Sequence, residues 1–447
     1  MTSSVGQKLK IAVVGSGISG LSAAWLLSQK HDVTLYEKDD RPGGHSNTVD
    51  AGETPVDTGF IVYNVASYPN LCALFDHLGV ATAATEMSFA ASLDNGRVEY
   101  GGSNLASLIA QKRNLVRPDF WRMVRDILRF YKEAPLVLKD EGAGQQSLGD
   151  YLAEHRYSMA FQRDHLLPMG AAIWSTPVET MLDYPIAAFV RFCENHGLLQ
   201  LSDRPQWRTV LGGSREYVKR MSSNISGGVV LDCAISHVGR CDGGAYIEDR
   251  YGKRHMFDHV VLACHADQAL ALQQNPDPAV ARLLGAFKYE RNLAILHHDE
   301  TLMPKNRKVW SSWNYLAEGA GEDQKVCVTY WMNRLQHLDP QSPLFVTLNP
   351  PRQPRDGTVI RSFLYDHPLF DSAAMCAQRL LWNIQGKDNI WYCGSYFGYG
   401  FHEDGIQSGL AVAEALGGVR RPWQVENESG RIHVAPISAQ PRKEKAA

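Results

Sequence analysis

The sequence lacks a strong excess of either charge, any apolar run long enough to cross a bilayer, and any close pair of cysteines. Lys and Arg total 45 against 48 Asp and Glu, a formal net charge of −3. A dedicated nucleic-acid binder carries a marked basic excess, so this balance argues against one and nucleic acid is not expected as a partner. No stretch approaches the ~20 apolar residues of a membrane-spanning helix. Met1–Lys10 has no apolar core of the kind a secretion signal carries. The eight cysteines (72, 193, 233, 241, 264, 327, 376 and 393) form no CxxC, which fits a reduced, cytoplasmic setting better than a disulfide framework. No internal repeat is evident. What remains is a chain of 447 residues, 44% hydrophobic and 21% charged, long enough for two or three domain-sized units around a sizeable core.

Lys10–Val14 is a short apolar run of the kind expected for a strand buried on both faces of a parallel sheet. Gly15-Ser-Gly-Ile-Ser-Gly20 follows it, then a helical pattern over 21–27 and a second strand over 32–36 that ends at Glu37. Gly15, Gly17 and Gly20 fit GxGxxG in the context that gives the motif meaning. The first glycine permits the tight turn, the second lets backbone approach a pyrophosphate, and the third lets helix and strand pack closely. Ser16 lies inside the turn, at a helix N-terminus that favours an anion. Glu37 stands where a carboxylate accepts hydrogen bonds from ribose hydroxyls and disfavours a 2′-phosphate, leaving FAD or NAD.

Further glycine-bearing segments favour a longer ligand. Arg41-Pro-Gly-Gly-His45 comes just after Glu37, and Asp57-Thr-Gly-Phe60 a little later. Far downstream, Gly394–Gly405 precedes Gln407 and Gly409 and opens a helical stretch over 407–416. Strands are also expected over 228–231, 234–238, 245–249, 259–263 and 389–393. Residues 64–205 and 276–384 read as helix-rich or mixed.

These segments, in this order, resemble the flavin-containing amine oxidoreductase superfamily. Residues 41–48, Ile173–Thr176, Trp207 with Gly212–Ser214, and Phe401–Gly405 further resemble a bacterial NAD/FAD-binding subfamily associated with cyclopropane-fatty-acyl-phospholipid synthases. Some relatives of that subfamily desaturate methyl-branched fatty acyl chains. The resemblance implies an α/β fold in which a Rossmann-type FAD-binding domain is assembled from 1–63, 206–275 and 385–419. An inserted α+β substrate domain takes 64–205 and 276–384, and 420–447 forms a mobile tail. It places the pyrophosphate on Gly15, Ser16, Gly17 and Gly20, and the adenosine ribose on Glu37 and Arg41. Gly43, Gly44 and His45 fall along the ribityl and phosphate region, and Asp57, Gly59 and Phe60 toward the flavin ring. Ala234 or Ile235 supplies the backbone pair that reads adenine. Gly394, Ser395, Asp404, Gly405 and Gln407 line the pyrophosphate, ribityl and pyrimidine side, although superfamily members often carry an acidic residue where Ser395 stands.

Two positions depart from amine oxidation. His402 falls near an aromatic-cage position of the amine oxidases and offers an imidazole that can relay a proton near neutral pH; it is the candidate catalytic residue, the alternative being a hydrogen bond within a turn. The lysine that holds a water in amine oxidases has no counterpart in Asn292–Leu296; Lys288 and Arg291 are nearby. His297 and His298 would point to opposite faces of a strand, so a polar strand end is expected there and no metal site. His265 and Asp267 are expected to begin a helix, with Asp267 as a cap. Cys393 is expected to be a buried strand residue. Between 111 and 132, seven basic residues face two acidic ones, Asp119 and Asp126. Phe120, Val124, Ile127 and Tyr131 form a helical stripe there, flanked by Trp121 and Leu128. Such a helix lies either on an anionic membrane surface or with its stripe in the core.

The implied function is FAD-dependent oxidation of a lipid acyl chain, introducing a double bond into a modified, methyl-branched fatty acyl group. Ile173, Trp174, Phe189 and Phe192 would line the substrate. The alternatives are an amine or small-molecule oxidase, a redox-neutral flavin isomerase, and an FAD-stabilised partner of a lipid methyltransferase. The expected location is cytoplasmic, with peripheral contact on the inner face of the membrane.

Overall fold

The computed structural model describes residues 8–102, 104–139, 146–174, 179–195, 197–200, 205–319 and 325–435. Ser175 and Thr176 lie outside the described residues, as do the side chains of Ile173 and Trp174. The chain divides into two units. The first comprises Met1–Gly44, Val218–Phe287 and Ala373–Ala447, the second His45–Tyr217 and Lys288–Ser372. Residues 45–63 and 206–217, expected with the nucleotide-binding segments, thus fall in the second unit, and 276–287 and 373–384 in the first.

The first unit is built on a five-stranded parallel sheet. Its strands run in the order Val229–Val230, Asp32–Tyr36, Lys10–Val14, His259–Leu262, Ile390–Tyr392. Val13 stands opposite Leu35 on one side and Val261 on the other. Ile11, Ala12, Val13, Val33, Leu35, Val260, Val261 and Leu262 are all fully buried. Two covered faces explain why these strands read as unbroken apolar runs. An antiparallel meander, Ile235–Cys241, Gly244–Asp249 and Arg254–Phe257, follows the edge strand.

Every residue of the first helix, Ile18–Leu27, is buried, because the long helix His402–Gly417 lies against it. Glycines make that approach close. A Cβ at Gly405 would sit 2.7 Å from Ile18 Cγ2, and one at Gly409 would overlap the Ser19 carbonyl and the Ser22 hydroxyl. His31 clamps the far end: its Nδ1 accepts from Leu9 N–H (3.2 Å) and its Nε2 donates to the Gly417 carbonyl (2.7 Å). The helix starts at His402, five residues earlier than the pattern over 407–416 suggested.

The described part of the C-terminal segment is not a mobile tail. Trp423 stacks on Trp25 at 5.8 Å, and buried Arg421 pairs with Glu414 at 2.8 and 2.9 Å. The polar composition that suggested mobility reflects ion pairs that hold this segment on the first unit. Residues 436–447 lie outside the described residues.

The second unit contains a seven-stranded sheet in the order Val359–Leu369, Lys288–His297, Phe345–Leu348, Lys325–Trp331, Trp313–Glu318, Phe89–Leu93, Val98–Gly101. All neighbours are antiparallel except Trp313–Glu318 with Phe89–Leu93. One apolar cluster gathers Val49, Val56, Ala294, Leu296, Met332 and Val346. Another joins Ala91, Tyr100, Tyr315 and Val328 to Phe120 and Met123 of the helix Pro118–Glu133. Val124 and Ile127 pack against that second cluster. The expected stripe therefore faces the core, while its flanking residues Trp121 and Leu128 are exposed.

Replacing Gly409 by Val puts branched carbons where Ser19 and Ser22 already stand. Overpacking of this kind costs about 1–3 kcal/mol, so Gly409→Val should lower the urea midpoint of unfolding measurably against the parent.

Candidate cofactor site

In the first unit, the strand Lys10–Val14 delivers Gly15 with φ of 101°. Its N–H bonds to the Tyr36 carbonyl at 2.9 Å, and a Cβ would meet the Ala263 carbonyl at 3.0 Å. Gly20 packs on Gly15 itself: a Cβ there would overlap the Gly15 carbonyl. Gly17 caps the helix with no side-chain hydrogen bond, and a Cβ on it would meet nothing within 4 Å. Gly17 thus opens on free space at a helix N-terminus, where first-turn N–H groups have no intrahelical acceptor, the arrangement that receives an anion.

Ser16 ties three segments together. Its N–H donates to Glu37 Oε2 at 2.9 Å and its hydroxyl donates to the same oxygen. Gly43 N–H in turn reaches the Ser16 hydroxyl (3.1 Å) and carbonyl (3.0 Å). Glu37 Oε1 accepts from Asp39 N–H at 3.1 Å. These three donors leave lone-pair capacity on the carboxylate for a diol. Gly44 brings the second glycine turn against the first, since its Cβ would lie 3.1 Å from Gly17 Cα. Arg41, expected at the ribose end, folds back and donates to the Gly44 carbonyl at 2.9 Å. The segment before Ala234 runs beside Glu37, with Cys233 N–H on the Glu37 carbonyl (2.8 Å). The Ala234 carbonyl is taken by Arg250 N–H at 2.9 Å, and Ile235 begins the meander opposite Asp249. Paired glycine turns, an open helix N-terminus and a carboxylate with spare acceptors fit the phosphate and ribose parts of FAD.

The downstream glycine segment differs from expectation. Gly394 is pinned by Ser408, which accepts from Gly394 N–H (3.0 Å) and donates to the Gly394 carbonyl (3.1 Å). The Ser395 carbonyl accepts from the N–H groups of Gly398 and Gly400, both at 3.1 Å. Asp404 was expected to line the cofactor, yet its buried carboxylate caps its own helix through Phe401 N–H (2.8 Å) and pairs with Arg431 at 2.6 and 3.2 Å. Burial pushes this carboxyl above the usual carboxylate range, and Arg431 pulls the other way. Gln407 likewise donates to Glu403 (2.9 Å) and accepts from Arg431 N–H (3.1 Å). The reason is electrostatic: a buried carboxylate must find donors or a cation, and the C-terminal segment supplies a cation that the glycine spacing did not signal. Gly405 serves the helix contact described above.

His402 is the first residue of that helix. Burial pushes its imidazole down to about 3, so it is neutral at neutral pH and does not titrate there, contrary to a relay that switches charge near pH 7. His265, not Asp267, is the N-cap of the helix Ala266–Ala271. Cys393 is buried and follows the strand Ile390–Tyr392.

In the second unit, Gly59 packs on the backbone of His45, and Phe60 N–H bonds to the His45 carbonyl at 2.8 Å. The His45 ring stacks on Tyr365 at 5.0 Å and lies 5.6 Å from His367. Tyr365 hydroxyl accepts from Asn47 Nδ2 (2.9 Å) and bonds to Thr58 Oγ1 (2.8 Å). Asn292 Nδ2 lies 2.9 Å from His367 Nδ1. Tyr365, His367 and Asn292 were not singled out as site residues from sequence, because the strands that carry them show no clean alternation. Phe60 meets Tyr217 edge-on at 6.4 Å. Phe189 and Phe192 are buried.

Asp57, expected toward the flavin ring, is a structural bracket. Its carboxylate accepts from Thr48 Oγ1 (2.6 Å), Ser214 N–H (2.9 and 3.1 Å), Ser214 Oγ (2.7 Å) and Gln336 Nε2 (2.9 Å). These donors occupy its acceptor sites. They join the hairpin of Thr48–Ala51 and Thr54–Asp57 to the Gly212–Ser214 turn. Lys288 and Arg291 pair with Asp371 (3.5 Å) and Asp366 (2.9 Å), their side chains 71% and 67% exposed. His297 bonds to Thr347 Oγ1 (2.7 Å) and Asp299 N–H (3.0 Å), whereas His298 bonds to the Pro343 carbonyl (2.7 Å). The adjacent rings have separate partners.

Two outcomes follow from this geometry. Gly17→Ala leaves the fold intact, because nothing opposes the new methyl, but the methyl occupies the space over the helix N-terminus. The purified variant should therefore show the parent's thermal midpoint with less bound FAD, read from flavin absorbance per chain. Burial pushes Asp57 up to about 6 from 3.8. The folded carboxyl keeps its proton to higher pH than the unfolded one, so its contribution is full below about 4 and is lost as pH rises through about 6. Asp57→Asn removes that dependence. The parent-minus-variant stability, from urea midpoints across this range, should fall with rising pH by on the order of 3 kcal/mol.

Residues 18–306 match the family model described as flavin containing amine oxidoreductase. A putative flavin-containing monoamine oxidase of Mycobacterium tuberculosis is 24% identical over 275 residues, 60% of this chain and 59% of that protein. The match thus spans less than two thirds of that relative's length. Putrescine oxidase with bound putrescine superposes at TM-score 0.64 and 15% identity, covering 91% of this chain and 98% of that one. A fatty acid isomerase from P. acnes that produces CLA does so at TM-score 0.64 and 14% identity with the same coverage. The solved structures share the amine-oxidase-like fold, the family's cofactor is FAD, and the chain belongs to the flavin-containing amine oxidoreductase family.

Proposed function

We propose that the chain is an FAD-dependent oxidoreductase that desaturates a lipid acyl chain, with a methyl-branched fatty acyl group as substrate. A bound FAD would supply the hydride acceptor and electron carrier that such a reaction needs. Desaturation also releases a proton from the neighbouring carbon. Burial keeps His402 neutral at neutral pH, so it is in the form that accepts a proton, and the same burial weakens it as a base.

The chemistry of the strand Lys288–His297 carries this reading. Its buried positions Asn292, Ala294, Ile295, Leu296 and His297 hold no ammonium group, while Lys288 and Arg291 are held at the surface by carboxylates. Ala294 and Leu296 instead join an apolar cluster. The fatty acid isomerase supports the reading to the extent that the same fold houses an enzyme of acyl chains. A second reading, oxidation of an amine, is favoured by the names of the mycobacterial relative and of putrescine oxidase.

Fatty acyl chains of cells with and without the protein separate the readings. Gain of unsaturated branched chains is expected; an unchanged profile, with peroxide released by the purified holoenzyme on a panel of amines, selects the amine oxidase. His402→Gln should cut the desaturation rate by roughly 10²–10⁴-fold with flavin absorbance retained. Full product formation by that variant would remove His402 from the chemistry, and a double bond moved without net oxidation would identify an isomerase. A methyltransferase product that depends on the protein but survives His402→Gln would identify a partner role.

A further inference from the structure

The outer face of the helix Pro118–Glu133 combines two features that surface helices seldom share. Among the described residues, sixteen large apolar side chains are exposed, and five of them fall between 115 and 136: Leu115, Val116, Trp121, Leu128 and Leu136. Singly scattered exposed apolar residues need no explanation, but a cluster marks an interaction surface. Val116 is 83% exposed, Trp121 47% and Leu128 49%. The apolar side that the helix needs for its own packing is already covered, since Phe120, Met123 and Phe130 are buried. Trp121 Nε1 donates to the Leu115 carbonyl at 2.9 Å, which fixes the helix to the preceding turn Lys112–Val116 and leaves the indole outside.

The same face is basic. Trp121, Arg125, Leu128 and Lys132 recur at spacings of four, three and four, one side of a helix. From 111 to 133 there are seven cations and three carboxylates, and one of the three, Asp126, is fully buried. Arg122 pairs with Asp119 at 2.8 Å and Arg125 with Asp126 at 3.1 Å; Lys112, Arg122, Arg125 and Lys132 are exposed.

We propose that this face docks on the surface of an anionic phospholipid bilayer. Indole and leucine side chains enter the headgroup boundary while the long basic side chains reach phosphates beside them. Charge selects the occupant. A second copy would set the same excess of cations against itself in a two-fold pair, which disfavours that contact. An anionic lipid surface complements both the cations and the apolar side chains between them. The docking rests on this unit alone and stands apart from the identity of the substrate.

Flotation of the full-length FAD-loaded protein with vesicles tests it. The protein should float with vesicles of phosphatidylglycerol and phosphatidylcholine, less so as salt rises, and stay behind with phosphatidylcholine alone. Trp121→Ser with Leu128→Ser should weaken partitioning about tenfold or more. Neutralising Lys112, Arg122 and Lys132 together to Gln should do the same. Both variants change exposed side chains, and parental thermal midpoints and flavin absorbance verify that they fold. Absence of flotation at low salt, equal flotation without the anionic lipid, or parental partitioning by either variant would overturn the proposal. A concentration-dependent dimer that only the apolar pair abolishes, without vesicle binding, would assign the face to a second copy and overturn it as well.

Discussion

Backbone segments in the first unit come closer than side chains allow, and this constraint organises the rest of it. Gly20 lies on Gly15, Gly44 on Gly17, and Gly405 and Gly409 on Ile18, Ser19 and Ser22. Each contact removes a Cβ, and together they bring two glycine turns and the terminal helix around one helix N-terminus. A Cβ on Gly17 would meet nothing within 4 Å, so the space beside it is open. An anion site made in this way needs little charged side chain, since aligned N–H groups supply the positive potential.

Carboxylates then sort the expected site residues by what surrounds them. Glu37 is fastened by Ser16 and Asp39 but keeps acceptor capacity. Asp57 and Asp404 have their acceptors occupied by the chain itself, by Ser214, Thr48 and Gln336 in one case and by Arg431 and Phe401 in the other. All three were expected along the cofactor, Glu37 from its place at a strand end and Asp57 and Asp404 from the glycine-bearing segments that hold them. Burial makes the difference, because a carboxylate without solvent must find donors, and those donors come from residues up to 279 positions away.

The parts of the fold that could be read from sequence are those fixed by local periodicity and turn chemistry. The strands at Lys10–Val14 and His259–Leu262 are short apolar runs, the first followed at once by a glycine turn, and both are found there. The seven-stranded sheet was hidden because its long strands mix exposed and buried positions irregularly, as in Val359–Leu369, so no clean alternation announces them. The terminal segment was misread for a related reason. Arg420, Arg421 and Arg431 look like solvated charges until Glu414, Glu428 and Asp404 are placed beside them.

The helix Pro118–Glu133 shows how one pattern serves two surfaces. Its sequence left open whether the aromatic stripe faces core or membrane, as though a single apolar face were to be assigned. The buried face takes Phe120, Met123 and Phe130, and Arg129 lies over the Tyr157 ring at 3.8 Å. That packing fixes the rotation of the helix, and rotation in turn forces Trp121 and Leu128 outward. Trp121 ties the helix to the preceding turn through the Leu115 carbonyl, but neither that bond nor the complete core face calls for Val116, Leu128 and Leu136 to be exposed on the same side as the basic residues. The retained apolar residues on the basic side therefore answer to something outside the unit, and the electrostatics of that side limit what it can be.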